Sequence, residues 1–268
     1  MTDLPLAGRA VGVTADRRGD DQVVMFERLG AAVVLGPTLS TVKVPDPELL
    51  RRRTAELVAD PPDFLIADTG IGMRTWFEAA DGWGQKDALV EAMRRSRIAA
   101  RGPKAAGALS SAGLSAWWRS PTEQLGDLVE HLIATGVEGR TVTFQLHGDD
   151  GAEVVSRLAS AGATVTTIPV YVWQPPADPA PARDLIERIR AGGIDAVTFT
   201  AGPQIRSLVD LAGPDAGDLV RALNQMVVGC IGPVCAGVAQ DCGIGRPVVP
   251  GAWRLGSLVR VVTEALVG

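Results

Sequence analysis

The chain has 268 residues, 46% of them apolar and 21% charged, with a formal net charge of −5. That apolar content suffices for a packed core and excludes wholesale disorder, and the length suits one large domain or two ordinary ones. A net negative chain lacks the basic face needed to wrap nucleic acid by itself.

Taken from the start, the first apolar run opens at Gly8-Arg9-Ala10-Val11 and a second follows Leu29-Gly30-Ala31-Ala32-Val33. Both recur in the other half, as Gly139-Arg140-Thr141-Val142 and Ala161-Gly162-Ala163-Thr164-Val165. Asp63 to Gly70 (DFLIADTG) is echoed by Asp195 to Gly202 (DAVTFTAG), and Ile98 to Pro103 (IAARGP) by Val228 to Pro233 (VGCIGP). All four pairs share one offset of about 130 residues, which reads as a duplicated unit. Between the short β-rich runs lie segments of helical periodicity: 49–59, 125–134, 154–161, 185–191 and 255–266. Strand alternating with helix predicts an α/β fold whose parallel sheets are covered on both faces. Gly30 and Gly162 stand where a helix stops before the next strand.

Two proline-bounded, β-branched stretches break the alternation, 37–47 (PTLSTVKVPDP) and 168–181 (IPVYVWQPPADPAP). They read as a two-stranded connector, 38–42 and 170–173, along which the chain leaves one domain and returns. Domain one is then discontinuous, 1–37 plus 174–268, and domain two covers 43–169. Paired connectors would leave a cleft between the domains, a common place for a ligand.

Three cysteines, Cys230, Cys235 and Cys242, form no disulfide framework and suit a reducing cytosol. No basic-then-apolar leader follows Met1, and the apolar run 226–239 is interrupted by Gly229, Gly232 and Pro233, so neither a signal peptide nor a membrane span is expected and the location is cytoplasmic.

Dinucleotide and P-loop fingerprints and the G-x-S-x-G elbow are absent. His131 reads as an ordinary helix residue. His147, followed by Asp149 and Asp150, fits a helix-capping turn better than a metal site. Cys235 and Cys242 lack a second pair for zinc and suit the core, so no metal is expected. What remains is a set of strand-to-helix turns: Thr69-Gly70, Gly102-Pro103-Lys104, His147-Gly148, Thr200-Ala201-Gly202 and Gly232-Pro233. In a parallel sheet such turns gather at the carboxyl ends of strands, where helix N-termini bind anions through backbone N–H groups. Arg17, Arg18, Arg74, Arg101 and Lys104 could assist, with Arg101 and Lys104 the best placed.

This arrangement resembles the uroporphyrinogen-III synthase family across essentially the whole chain. That family has two α/β domains joined by a two-stranded connector. Its Asp–strand–Thr-Ser turn looks like Asp63 to Gly70 and Asp195 to Gly202. Its Gly-Pro-x-Thr-Ala turn looks like Gly102 to Ala106 and Gly232 to Ala236, and its connector Val-Tyr looks like Val170-Tyr171. The resemblance implies cofactor-free conversion of hydroxymethylbilane, a linear tetrapyrrole with eight carboxylates, into uroporphyrinogen III: loss of water, a spiro intermediate, and closure with the last pyrrole inverted. Tyr171, the only tyrosine in the chain, stands where the family's candidate for assisting departure of the hydroxyl stands. As a phenol protonated at neutral pH it could donate a proton or a hydrogen bond, and it could equally be an aromatic that packs the connector. Positioning of the bilane would supply most of the catalysis. The same resemblance marks Thr69, Gly70, Gly102, Pro103, Thr200, Ala201, Gly202, Gly232, Pro233 and Cys235 as substrate-binding, with Arg17, Arg18, Arg101, Lys104 and His147 beside them. The chain departs from the pattern at Ala105, Cys235 and Ala201, which replace hydroxyl residues.

Motifs 67–72, 101–104 and 145–148 also look like an actinobacterial branch of uroporphyrinogen-III synthase/response regulator proteins. Those often continue into a winged-helix DNA-binding domain and are associated with control of nitrate assimilation. The alternative reading is therefore a synthase-like sensor that binds a tetrapyrrole or small anion, or docks a transcription factor.

Overall fold

The computed structural model describes residues 4–146, 148 and 151–268, and its chain divides into two compact units. Unit 1 comprises Met1–Ser40 and Gln174–Gly268; unit 2 is Thr41–Trp173. In chain order, unit 1 begins with β1 (Ala10–Val13), α1 (Gly19–Glu27) and β2 (Ala32–Leu35), and β3 (Ser40–Lys43) leads out of it. Unit 2 continues with α2 (Pro47–Ala59), β4 (Phe64–Ala67), α3 (Gly70–Gly82), α4 (Lys86–Arg94), β5 (Arg97–Ala100) and α5 (Pro103–Ser111). It is completed by β6 (Trp118–Arg119), α6 (Leu125–Thr135), β7 (Thr141–Gln145), α7 (Ala152–Ser160) and β8 (Thr164–Ile168). Strand β9 (Tyr171–Gln174) leads back to α8 (Ala180–Arg190), β10 (Ala196–Phe199), α9 (Gly202–Ala212), α10 (Ala216–Leu223), β11 (Val227–Cys230), α11 (Pro233–Asp241) and α12 (Leu255–Val267).

Unit 1 holds a parallel sheet of order β11-β10-β1-β2, and unit 2 a parallel sheet of order β6-β5-β4-β7-β8. The two chain crossings pair with each other as a separate sheet, β3-β9. Helices start earlier than periodicity alone indicates. Pro47 opens α2 behind the Asp46 cap, and Ala180 opens α8, so the ends of both proline-bounded stretches are helical rather than connector. Proline is tolerated there because a first-turn N–H has no intrahelical partner to lose.

Side-chain alternation places each sheet between two apolar layers. In β4, Leu65 and Ala67 face the layer containing Trp76, Met93 and Leu109, while Phe64 and Ile66 face Leu128, Val142 and Leu158. In β10, Val197 and Phe199 face Leu185, Ile205 and Leu219, while Ala196 faces Phe26 and Val262. Burial on both faces is why these strands read as nearly continuous apolar runs. Gly30 and Gly162 adopt φ +95° and +86°, the left-handed stop that ends α1 and α7. Among the described residues, no helix is long and apolar enough to cross a membrane.

The repeated aspartates anchor the central strands. Asp63 accepts the Thr141 N–H at 2.9 Å and the Thr141 hydroxyl at 3.1 Å, and pairs with Arg140 at 2.9 Å. Asp195 accepts the Ala10 N–H at 2.8 Å and pairs with Arg9 at 2.9 Å. The Thr141 backbone N–H, foremost, holds the Asp63 carboxyl below its ordinary value of 3.8, and partial burial opposes it. A lowered folded pKa stabilises the fold above the unfolded value, and that contribution is lost as pH falls through the folded one. Asp63→Asn is expected to cost about 1–2 kcal/mol at pH 7. In urea titrations, its deficit against wild type should shrink as the pH is lowered below 3.8.

Candidate functional site

In unit 2 the strand order brings the turns after β5, β4 and β7 side by side at the carboxyl end of the sheet. Thr69 caps α3: its Oγ1 accepts the Gly72 N–H at 3.1 Å, and its own N–H donates to Gln145 Oε1 at 3.0 Å. Gln145 is fully buried at the end of β7, and its Nε2 donates to the Leu146 carbonyl. The Tyr171 hydroxyl lies 3.5 Å from Thr69 Oγ1, joining the first residue of β9 to the first turn of α3 across 102 positions of chain. Tyr171 itself is only 4% exposed and packs in the same apolar layer as Ile168 and Val170, with Trp173 edge-on at 6.2 Å. Its ring is packed and its hydroxyl is aimed at the cap.

Glycine brings the neighbouring turn close. A Cβ on Gly70 would fall inside the carbonyl of Lys104, so α3 and α5 start against each other only because that atom is missing. Helix α5 begins at Pro103 with Gly102 as its cap and no side chain bonding its first turn, so its early N–H groups point outward. Beside it, Arg101 pairs at 2.9 Å with Asp68, whose carboxylate is completely buried. Arg101 thus arrives with its charge partly neutralised, in contrast to the free cation suggested by its position beside the turn. Lys104, Arg17 and Arg74 are exposed and make no ion pair among the described residues, whereas Arg18 is paired with Asp21 at 2.6 Å. His147 lies outside the described residues, as do Asp149 and Asp150. Gly148 bridges to Val172 beside Trp173. His131 sits on α6, its ring stacked on Trp118 at 4.1 Å.

Unit 1 repeats the plan with different side chains. Its turns after β11, β10 and β1 adjoin at the carboxyl end, and Arg17 lies exposed beyond β1. The Thr200-Ala201-Gly202 turn is capped from within: Gln204 Oε1 accepts the N–H of Thr200 at 2.8 Å and of Ala201 at 3.1 Å. Those two donors precede the helix, and the first turn of α9 itself carries no side-chain cap. Gly232-Pro233 opens α11 without a side-chain cap, as Gly102-Pro103 opens α5. Cys235, in the place of a family hydroxyl, is buried, and its Sγ donates to the Phe199 carbonyl at 3.7 Å. Its hydrogen bond with Cys230, and then burial, push the thiol's pKa far upward, so it stays protonated and unreactive. A surface concavity of about 570 Å³ lined by Arg9, Asp195, Met226 and Val227 opens at the opposite, amino end of this sheet. Among the described residues, no group of three or more His, Cys, Asp and Glu is placed to hold a metal.

Of the turns read from sequence, four are described in full. Only the one at Thr69 has a side-chain cap on its helix; α5, α9 and α11 start without one, although Gln204 holds the Thr200 and Ala201 N–H groups just before α9. The residues that sequence reasoning missed are Asp68, Gln145 and Gln204. The available signal was a polar residue at the end of an apolar strand (Ala67-Asp68, Phe144-Gln145).

A family profile described as "Uroporphyrinogen-III synthase HemD" matches residues 20–260. The crystal structure of a mutant uroporphyrinogen III synthase from Thermus thermophilus superposes with a TM-score of 0.81 at 29% identity, covering 97% of this chain and 99% of that one. The wild-type protein in another crystal form gives 0.63 at the same identity, covering 97% and 98%. An uncharacterized protein of Bacillus subtilis (strain 168), YjjA, is 30% identical over 261 residues, covering 95% of this chain and 94% of its own length.

The Gly70 contact generates a direct test. Gly70→Ala pushes a Cβ into backbone and is expected to cost about 1–3 kcal/mol. Gly202→Ala meets only the Val238 side chain, at 2.7 Å, and should lose less. Equilibrium unfolding of the two variants checks the order.

Proposed function

The chain belongs to the uroporphyrinogen-III synthase HemD family, and from that membership we propose that it closes hydroxymethylbilane to uroporphyrinogen III with inversion of the last pyrrole ring. The observation that carries this reading is the Tyr171 hydroxyl 3.5 Å from Thr69 Oγ1, at the mouth of α3. The reaction begins when the hydroxymethyl group leaves as water, and that departure needs a proton or a strong hydrogen bond at the leaving oxygen. Tyr171 can supply either, and Thr69, fixed by Gln145 and by the Gly72 N–H, holds the phenol's direction. The cation left behind is attacked by the substituted carbon of the terminal pyrrole. The spiro intermediate then reopens, and the ring closes in its inverted orientation.

Nothing in that sequence requires a strong base, and most of the rate comes from holding the bilane's ends together. A carboxylate suits an uncapped helix start such as that of α5 or that of α11, where N–H groups and the helix dipole attract negative charge despite the chain's net acidity. Lys104 adds a local cation beside α5. The hydroxyls absent at Ala105, Ala201 and Cys235 are side-chain contacts, and their loss leaves the backbone donors in place.

The test couples hydroxymethylbilane synthase to this protein and separates the type I and type III isomers. Wild type should yield type III; type I alone at high protein concentration overturns the reading and leaves a ligand-binding role. Tyr171→Phe keeps the packed ring and removes the hydroxyl, so it should lower the rate of type III formation on the order of 10²-fold with the unfolding midpoint nearly unchanged. Thr69→Val, which removes the cap and the hydroxyl's partner, should lower both rate and stability, the latter by about 1 kcal/mol.

A further inference from the structure

The duplication extends beyond the turns to the segment that passes over them. After β5 the chain reaches β6, where Ala99 pairs with Trp118. After β11 it reaches Val248, which pairs with Gly229 in the same parallel sense. From there each half crosses its Gly-Pro turn and enters a helix, α6 at Leu125 and α12 at Leu255. Every one of these pairs keeps the same offset of about 130 residues. So do the residues that lie over the two glycines, Glu123 over Gly102 and Trp253 over Gly232. One backbone plan therefore delivers a carboxylate to one turn and an indole to the other. Glu123 holds φ +59° to do so, a conformation uncommon outside glycine.

The indole is set face-on. Its Cγ, Cδ1 and Cδ2 lie 3.3, 3.5 and 3.5 Å from the point where a Cβ on Gly232 would stand, so one face of the ring rests flush on the backbone. The residue remains 41% exposed, and Val234, two residues past Gly232 on the first turn of α11, is 68% exposed. Leu4, Val24 and Val267 of this unit are exposed too, but among its aromatic side chains Trp253 alone is open, Phe26 and Phe199 being fully buried.

We infer that Trp253 is a specificity-determining residue that stacks on a pyrrole ring of the ligand, with Val234 at the ring's edge. The inference rests on the tetrapyrrole reading above and assigns the ring contact that reading leaves open. The geometry suits it: the indole is rigid, braced on one face by Gly232, and offers its remaining surface to a flat π system at little cost in conformational freedom. The Glu123 carboxylate at the equivalent turn cannot stack. Of the two equivalent turns, only the one that opens α11 therefore carries a group able to stack on a ring.

The experiment uses the full chain and two readouts. Uroporphyrin III, a flat octacarboxylate that cannot react, is titrated while tryptophan emission is followed. Saturable quenching is expected in wild type. Trp253→Phe should lose the Trp253 share of that quenching while keeping affinity within about threefold, and Trp253→Leu, which covers Gly232 without a ring, should weaken binding about tenfold. Trp117→Phe, an exposed indole at the amino end of the other sheet, should leave affinity unchanged. In the coupled assay, Trp253→Leu should raise KM for hydroxymethylbilane about tenfold with kcat within about threefold. Absence of saturable quenching in wild type, or wild-type affinity and KM in Trp253→Leu, overturns the stacking assignment. Quenching that depends on Trp253 with only type I product keeps the assignment and removes the synthase reading. Type III product with KM unmoved in Trp253→Leu does the reverse.

Discussion

The nearness of α3 to α5 governs the carboxyl end of the sheet in unit 2, because Thr69, Arg101 and Lys104 all stand at one of these two helix starts. At Gly70 the backbone of one helix touches the carbonyl of the other, and no side chain of any size fits between them. That contact brings the Thr69 cap, the open end of α5, and the Arg101–Asp68 pair into one small region. In unit 1 the corresponding glycine, Gly202, meets the Val238 side chain instead, so the backbone contact belongs to unit 2 alone. Interiors packed to crystal-like density leave no slack for relaxing such a contact.

Given that geometry, the chemistry of each turn is decided by what already satisfies its N–H groups. Gln145 reaches the β4–α3 turn from a neighbouring strand, whereas Gln204 reaches the β10–α9 turn from within its own helix. Both amides do the same physical job, relieving buried donors that would otherwise cost one to three kcal/mol, roughly, apiece. The starts of α5 and α11 have no such amide. Turns that look alike as Gly- and Thr-bearing segments thus differ in whether a buried amide reaches them.

The architecture was legible in the sequence because duplication and periodicity are local or regularly spaced signals. The four repeated segments fall on β1 and β7, β2 and β8, β4 and β10, and β5 and β11. The helix expected over 255–266 runs Leu255–Val267. What escaped were the side-chain contacts between residues far apart in the chain. Gln145 is 76 positions from Thr69, and nothing around it announces the partner. Arg101 read as an available cation because Asp68, which neutralises it from the next strand, sits 33 positions earlier in an apolar run. The short strand β6 and its counterpart at Val248 are too brief to carry a periodic signal, so the segments that lay Glu123 and Trp253 over their glycines could not be placed.

The interrupted course of unit 1 has a consequence for biosynthesis. Strand β1 sits between β2 and β10, and β10 separates it from β11, so only the β1–β2 pair of that sheet exists while the intervening residues are being translated. All five strands of the second sheet, β4 to β8, leave the ribosome before β10 does. At about 5–20 residues per second, the early strands wait several seconds with their inner edge unpaired. The edge left open is that of β1, whose Val11 and Val13 are fully buried in the finished fold. A nascent chain of this design closes its middle first and its two ends last, so synthesis halted after residue 173 yields one finished unit and a dangling pair of strands.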